Sequence, residues 1–251
     1  YYLKKLYSYN FPIPPGFILT TEWFRERKAF VQFPEMYKVM TEMIKEKIYE
    51  LEKVTGKKYG NPDDPLLLSV RSGTVIPMPG AMDTILNIGM NDMIAGKLSK
   101  KEFYGWAAWD SYRRLLQQWG MAHGISRDEF DKIILDFKKL YEIEQKKSFS
   151  KEQMKNIAFS YKDLLLKHGV RLEEDPFKQL LQAIIFVFQS WYNDRAQLFR
   201  KKLQIAEEWG TAVIVQEMVL GNISDDSGTG VIFTKVPFEK SSEVAIYGDF
   251  T

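Results

Sequence analysis

The sequence predicts an α+β protein, and three of its features carry that expectation. Leu66–Val70 (LLLSV) is a short apolar run with the length of a buried strand. From about Asp92 to Asp175 the chain is charged, rich in helix formers and poor in proline, the texture of helices. From Thr211 onward the runs TAVIVQEMV, TGVIFT and EVAIYGDF are β-branched or aromatic and are divided by Gly, Asp, Ser and Pro, as strands and turns are. Helices grouped between strand-forming ends are the segregated pattern of this class.

The elements follow in order. After the cluster Pro12, Pro14, Pro15 and a short apolar stretch, Pro34 stands at a first helical position. Met36, Val39, Met40, Met43, Ile44, Ile48 and Leu51 then recur at three- and four-residue spacing up to Gly56, which predicts an amphipathic helix with a Met-rich buried stripe. NPDDP at Asn61–Pro65 reads as a turn before the strand at 66–70. In the charged stretch Ser126 with Glu129 and Ser150 with Gln153 fit the capping-box spacing, and two or three helices are expected. Asp175 and Pro176 supply a cap and first-turn proline for FKQLLQAIIFVFQSWY, apolar nearly all round and so covered on most sides.

Composition narrows the function classes. The 251 residues are 45% hydrophobic and 27% charged, ordinary globular values. Lys and Arg number 35 against 33 Asp and Glu, and a net charge of +2 predicts no broad face for nucleic acid. Zero cysteines remove disulfides, thiol nucleophiles and cysteine-ligated zinc. No apolar run approaches the ~20 residues of a membrane helix, so no membrane partner is expected and a cytoplasmic setting is, with an organellar one left open. Tyr1 is not methionine and the strand at 243–250 has only begun when the sequence stops, so the chain is expected to be a fragment.

The segment from Val70 to Asp92, VRSGTVIPMPGAMDTILNIGMND, is the most unusual. Arg71 follows the apolar run, and Gly73, Gly80 and Asp83-Thr84 come after it. Glycines admit a ligand close to the backbone, a guanidinium fork matches phosphate oxygens, and a hydroxyl adds a neutral donor. The competing reading is a Gly/Pro-rich connection with Arg71 paired to a carboxylate. QEMV at Gln216–Val219 is an apolar strand end whose free backbone groups would suit a purine edge, and ordinary sheet pairing is the alternative. Ser227–Gly230 (SGTG) forms either an anion nest or a plain turn, with Asp225 and Asp226 as metal ligands or turn formers. His123 and His168 each precede a glycine and read as helix-terminal residues rather than a metal pair or phosphoryl carrier.

These segments resemble the pyruvate, phosphate dikinase family. The resemblance runs in order through PIPPGF at Pro12–Phe17, GKKYGNPDDPLLLSVRSG from Gly56 and MPGAMDTILNIGMND. It continues through SYRRL at Ser111–Leu115, SWYNDRA at Ser190–Ala196, WGTAVIVQEMVLGN at Trp209–Asn222 and DDSGTGVIFT at Asp225–Thr234. It is thin in the charged helical stretch. The MPGxMDT form favours the dikinase over phosphoenolpyruvate synthase and rifampicin phosphotransferase.

The resemblance implies an ATP-grasp fold with an inserted helical subdomain: residues 1–92 as an N-terminal lobe, 93–175 as the insertion, and 176–251 as a return helix and a truncated C-terminal lobe. It implies that ATP passes two phosphates to a carrier histidine on another, swinging domain, phosphate takes one, and pyruvate receives the other, giving phosphoenolpyruvate, AMP and pyrophosphate. By the same resemblance Arg71 contacts the nucleotide phosphates, Gly80 and Thr84 belong to the loop that closes over them, and Gln216, Glu217, Met218 and Val219 form the hinge strand at the adenine. The family lysine of KGxNL would precede Tyr1. The magnesium-holding DxE pair, the QxR contact, the carrier histidine and the pyruvate barrel would follow Thr251, and a homodimer would form through other domains. The alternatives are a non-catalytic module that keeps the scaffold and a phosphoenolpyruvate synthase-like phosphotransferase. Val75, Ile76 and Pro77 stand where the family has polar residues.

Overall fold

A computed structural model describes the chain except for residues 1, 77, 79, 225, 234–245 and 251. Its described residues form nine α-helices and six strands. The central sheet has the order β1-β4-β2-β3, built from β1 (Gly16–Leu19), β2 (Leu68–Gly73), β3 (Thr84–Ile88) and β4 (Ala212–Glu217), with every neighbouring pair antiparallel. β5 (Gly230–Phe233) and β6 (Tyr247–Phe250) pair as a separate ribbon. The expected strands at Thr211 and Thr229 are therefore present, and the expected strand from Glu243 is seen over its last four residues, 243–245 lying outside the described part.

β4 sits between β1 and β2. Residues 212–217 are hydrogen-bonded to strands from the first ninety residues, β1 and β2. Its alternation explains the placement: Val213 and Val215 are fully buried on one face, while Ile214 and Gln216 point to the other.

The helices are α1 (Tyr2–Ser8), α2 (Thr21–Gln32), α3 (Pro34–Thr55), α4 (Asp92–Leu98), α5 (Tyr104–Ala122), α6 (Arg127–Tyr141), α7 (Lys151–Lys167), α8 (Pro176–Gln189) and α9 (Asp194–Leu203). α3 starts at the expected proline and ends at Gly56, whose φ of +73° closes it with its amide on the Glu52 carbonyl. Its buried stripe is narrower than expected: Met40, Ile44, Ile48 and Leu51 are inside, while Val39 and Met43 face solvent. Between 92 and 167 there are four helices rather than two or three. The extra one, α4, is only seven residues long and is started by Asn91, whose side chain accepts from the Ile94 amide at 2.9 Å.

Ser150 and Gln153 form the full capping box at the start of α7. Ser126 does not complete one: its hydroxyl accepts from the Asp128 amide, and Glu129 instead takes His168 Nε2 at 2.8 Å, joining the start of α6 to the end of α7. His123 and His168 are the C-caps of α5 and α7, as their glycine neighbours suggest.

One hydrophobic core joins the sheet to the helices of both the middle stretch and the return segment, from Val70 and Ile85 through Trp119, Phe130 and Tyr161 to Ile184 and Phe188. Each fully buried side chain of this size contributes about 1.5–3 kcal/mol. Polar ties hold β3 and the turn after it to α5 and α8. The Leu86 amide donates to Gln118 Oε1 at 2.7 Å, Asn87 Nδ2 to the Ser111 carbonyl at 3.1 Å, and the Gly89 amide to Gln179 Oε1 at 2.6 Å. Asn87 has a φ of +61° where the β2–β3 register shifts, a left-handed position that asparagine tolerates better than most residues.

Asp110 of α5 is completely buried. Arg113 Nη2 and Arg114 Nε each lie 2.7 Å from its carboxylate, and Lys146 Nζ approaches to 3.4 Å from the turn between α6 and α7. Burial alone would raise its pKa, but the three cations outweigh that and hold it below the ordinary carboxylate value. This contribution is therefore complete above the unfolded pKa of about 3.9 and disappears as the pH falls through the lowered folded value. Asp110→Asn strands the Arg113 guanidinium in the interior and is expected to cost about 3 kcal/mol or more in urea unfolding at pH 7. The deficit relative to wild type should shrink in acid, where wild type loses the same charge.

Candidate functional site

The face of the sheet turned away from Val70 and Val215 carries Arg71 and Gln216, and residues of α1 and α3 border its β1–β4 side. β2 continues to Gly73, so Arg71 is inside the strand and not beyond its end as the sequence reading has it. Leu68 and Val70 enter the core, and the pleat turns Ser69, Arg71 and Gly73 to the other side. Arg71 is paired in register with Thr84 on β3 and Ile214 on β4, and Ser69 with Gln216. Thr84 is the first residue of β3 rather than part of a loop, and it is exposed.

Arg71 Nη2 donates to Gln216 Oε1, and Gln216 Nε2 donates to the Pro14 carbonyl at 2.7 Å. Desolvation lowers the Arg71 pKa from the usual arginine value, and no carboxylate among the described residues offsets it. The Arg71–carboxylate pairing considered from sequence is thus not what the structure shows. An exposed guanidinium whose side-chain partner among the described residues is a neutral amide oxygen retains donors and an unbalanced charge for an anion.

The connection from Thr74 to Asp83 is anchored at its far end and exposed at its tip. Met78, Ala81 and Met82 are buried, whereas Val75 is 78% exposed. Gly80 turns with φ +70° in open space. The Asp83 amide donates to Ser190 Oγ at 3.1 Å, and Ser190 donates on to the Val187 carbonyl at 2.8 Å, so the SWYNDRA segment fastens this loop to α8. Burial raises the Asp83 pKa, against the opposing charge of Arg195.

The QEMV segment is less open than its sequence suggests. The amides of Glu217 and Met218 donate to the carbonyls of Pro15 and Leu67 at 2.9 and 2.8 Å, and the Glu217 carboxylate pairs with Lys57 Nζ at 2.7 Å. Those two amides are therefore engaged and not free for a base edge; Val219 is 71% exposed. Ser227, the first residue of SGTG, bonds back to Ser224 just before the loop, and the glycines meet close neighbours: a Cβ at Gly228 would lie 2.1 Å from the Phe250 ring. Asp225 lies outside the described residues. His123 and His168 have separate partners, Trp119 O and Glu129. No cluster of three or more metal-ligating side chains occurs among the described residues.

A cleft of about 450 Å³ opens beside Gln216, lined among others by Tyr7, Pro14, Gly16, Ile18 and Ile214. A larger cleft of about 700 Å³ lies between α2 and α8, around Arg27, Phe188 and Tyr192, and contains none of the sequence-identified residues. Sequence reasoning missed Ser190, Lys57 and Gly16 as supports. Only Gly16 had a readable signal, its place after two prolines at the head of a strand.

The model of the family described as pyruvate phosphate dikinase, AMP/ATP-binding domain, matches residues 27–250. The chain belongs to this family. Pyruvate, phosphate dikinase of Clostridium symbiosum is 38% identical over 255 residues, covering 99% of this chain and 28% of that protein. The Rhizobium meliloti protein of the same name is 37% identical over 254 residues, and the chloroplastic one of Mesembryanthemum crystallinum 37% over 254, each across 99% of this chain. The chain thus spans a little over a quarter of the length of these curated relatives. The α+β architecture agrees with the ATP-grasp expectation, and no helix among the described residues is long and apolar enough to cross a membrane.

Removing the Ser190 hydroxyl tests the loop anchorage. Ser190→Ala is expected to cost about 1–2 kcal/mol. It should speed hydrogen exchange at the Asp83 amide far more than at the amides of α8, read by exchange mass spectrometry.

Proposed function

We propose that this chain forms part of the ATP site of a pyruvate, phosphate dikinase. Arg71 meets the polyphosphate, Thr84 adds a hydroxyl beside it, and the Gly80 turn lets the loop approach. The end of β4 after Gln216, Glu217–Val219, flanks the purine through side chains and the remaining carbonyls, since the Glu217 and Met218 amides are spent and both ends of the Gln216 side-chain amide are engaged. The single observation that carries this reading is Arg71 itself: an exposed guanidinium on β2 that bonds a neutral glutamine and pairs with no carboxylate among the described residues. Its positive charge neutralises oxygens of a transferring phosphoryl group and is already in place before reaction, so little reorganisation is needed.

In the whole protein this site would serve interconversion of ATP, phosphate and pyruvate with AMP, pyrophosphate and phosphoenolpyruvate. The phosphoryl group would ride on a histidine of another, swinging domain of the same polypeptide. Magnesium would be held by carboxylates outside the described residues, and a homodimer would form through other domains. The domain division proposed is an N-terminal lobe over 1–92, a helical insertion over 93–175, and a return helix with a truncated C-terminal lobe over 176–251. The setting proposed is cytoplasmic, with an organellar one equally compatible.

The test is titration of the full natural chain with a non-hydrolysable ATP analogue. Arg71→Ala should weaken binding about ten- to a hundredfold, the range of a lost charge-assisted hydrogen bond. Thr84→Val should weaken it a few-fold, with thermal unfolding little changed because the residue is exposed. Unaltered affinity in both variants would overturn the assignment.

A further inference from the structure

We infer that Gln216 is a positioning residue, set by the proline turn of β1, which aims the Arg71 guanidinium rather than reading the base. The inference rests on the nucleotide site proposed above. The Gln216 side chain is 4% exposed and both ends of its amide are used: Nε2 donates to the Pro14 carbonyl at 2.7 Å, and Oε1 accepts from Arg71 Nη2. Donating at one end fixes which way the amide faces, so Oε1 is presented to Arg71 and no donor remains on that side to compete with the guanidinium. The backbone is held equally: the Gln216 carbonyl accepts from Ser69 Oγ at 3.3 Å, and the next amide donates to Pro15.

The turn that supplies these carbonyls lies against Gln216 because residue 16 has no side chain. A Cβ on Gly16 would stand 2.4 Å from the Val215 carbonyl oxygen and 3.1 Å from Gln216 Cβ. The PIPPGF segment therefore has a role in this site without touching a ligand: Pro14 orients Gln216, and Gln216 orients Arg71. A long, flexible arginine loses rotamer freedom before the anion arrives, which lowers the entropy cost of binding. An oriented fork also keeps its remaining N–H groups together on one side.

The test compares ATP with adenosine, which lacks the phosphates, on the full natural chain. Gln216→Leu should weaken ATP about tenfold, or about 1.4 kcal/mol, and leave adenosine unchanged. In the double variant with Arg71→Ala the second substitution should add nothing. Gln216→Glu, which keeps length and volume, serves if the leucine variant unfolds: its carboxylate competes with phosphate for Arg71 and should weaken ATP at least as much, again sparing adenosine. Equal losses for ATP and adenosine, or additive losses in the double variant, would overturn the inference while leaving the nucleotide site standing. An Arg71→Ala variant with wild-type ATP affinity would instead overturn the site reading.

Discussion

Everything at the candidate site depends on one long-range pairing, the insertion of β4 between β1 and β2. Residues 212–217 must return across some 140 residues of chain to bond with 68–73 on one side, and across nearly 200 to bond with 16–19 on the other. Without it Arg71 has no glutamine, β1 has no neighbour, and Val213 and Val215 leave the core. Such a pairing is slow to find because loop closure precedes any reward, so the helices between are best formed early.

Those helices also brace the sheet. α5 and α8 cover one face and answer the backbone irregularities of β3 with glutamine side chains, so the bulge at Asn87 and the turn at Gly89 keep most of their polar groups satisfied. Three buried atoms, Asn87 Oδ1 and the indole nitrogens of Trp106 and Trp109, find no hydrogen-bond partner among the described residues. The opposite face carries Ser69, Arg71 and Gln216 of β2 and β4, with a cleft beside Gln216 that α1 and α3 border.

Much of this was legible in sequence, for physical reasons that differ by element. α3 and α8 announced themselves through periodicity with a proline at the start, and the two histidines through the glycines behind them. Short α4, with a lone asparagine cap, sent too weak a signal to be counted. Arg71 stands out in the sequence, but a charged residue reads as the end of an apolar strand, which stops the expected strand three residues short of Gly73. The alternation of Leu68 and Val70 with Ser69, Arg71 and Gly73 was the cue that carried the strand onward. The buried valines of β4 were readable as a strand, yet its neighbours were not, since strand order is set by non-local pairing. For the same reason the spent amides of Glu217 and Met218 were invisible.

The common interior of sheet and helices bears on how this protein is reshaped in the laboratory or in evolution. Trp119, Phe130 and Tyr161 belong to the same packed mass as Val70 and Ile85. The stretch between 93 and 175 is therefore no detachable cassette: cutting it out and splicing the ends would bare a broad greasy wall on the sheet, and grafting it elsewhere would bare its counterpart. Shuffling of this region is expected to succeed only when the sheet travels with it.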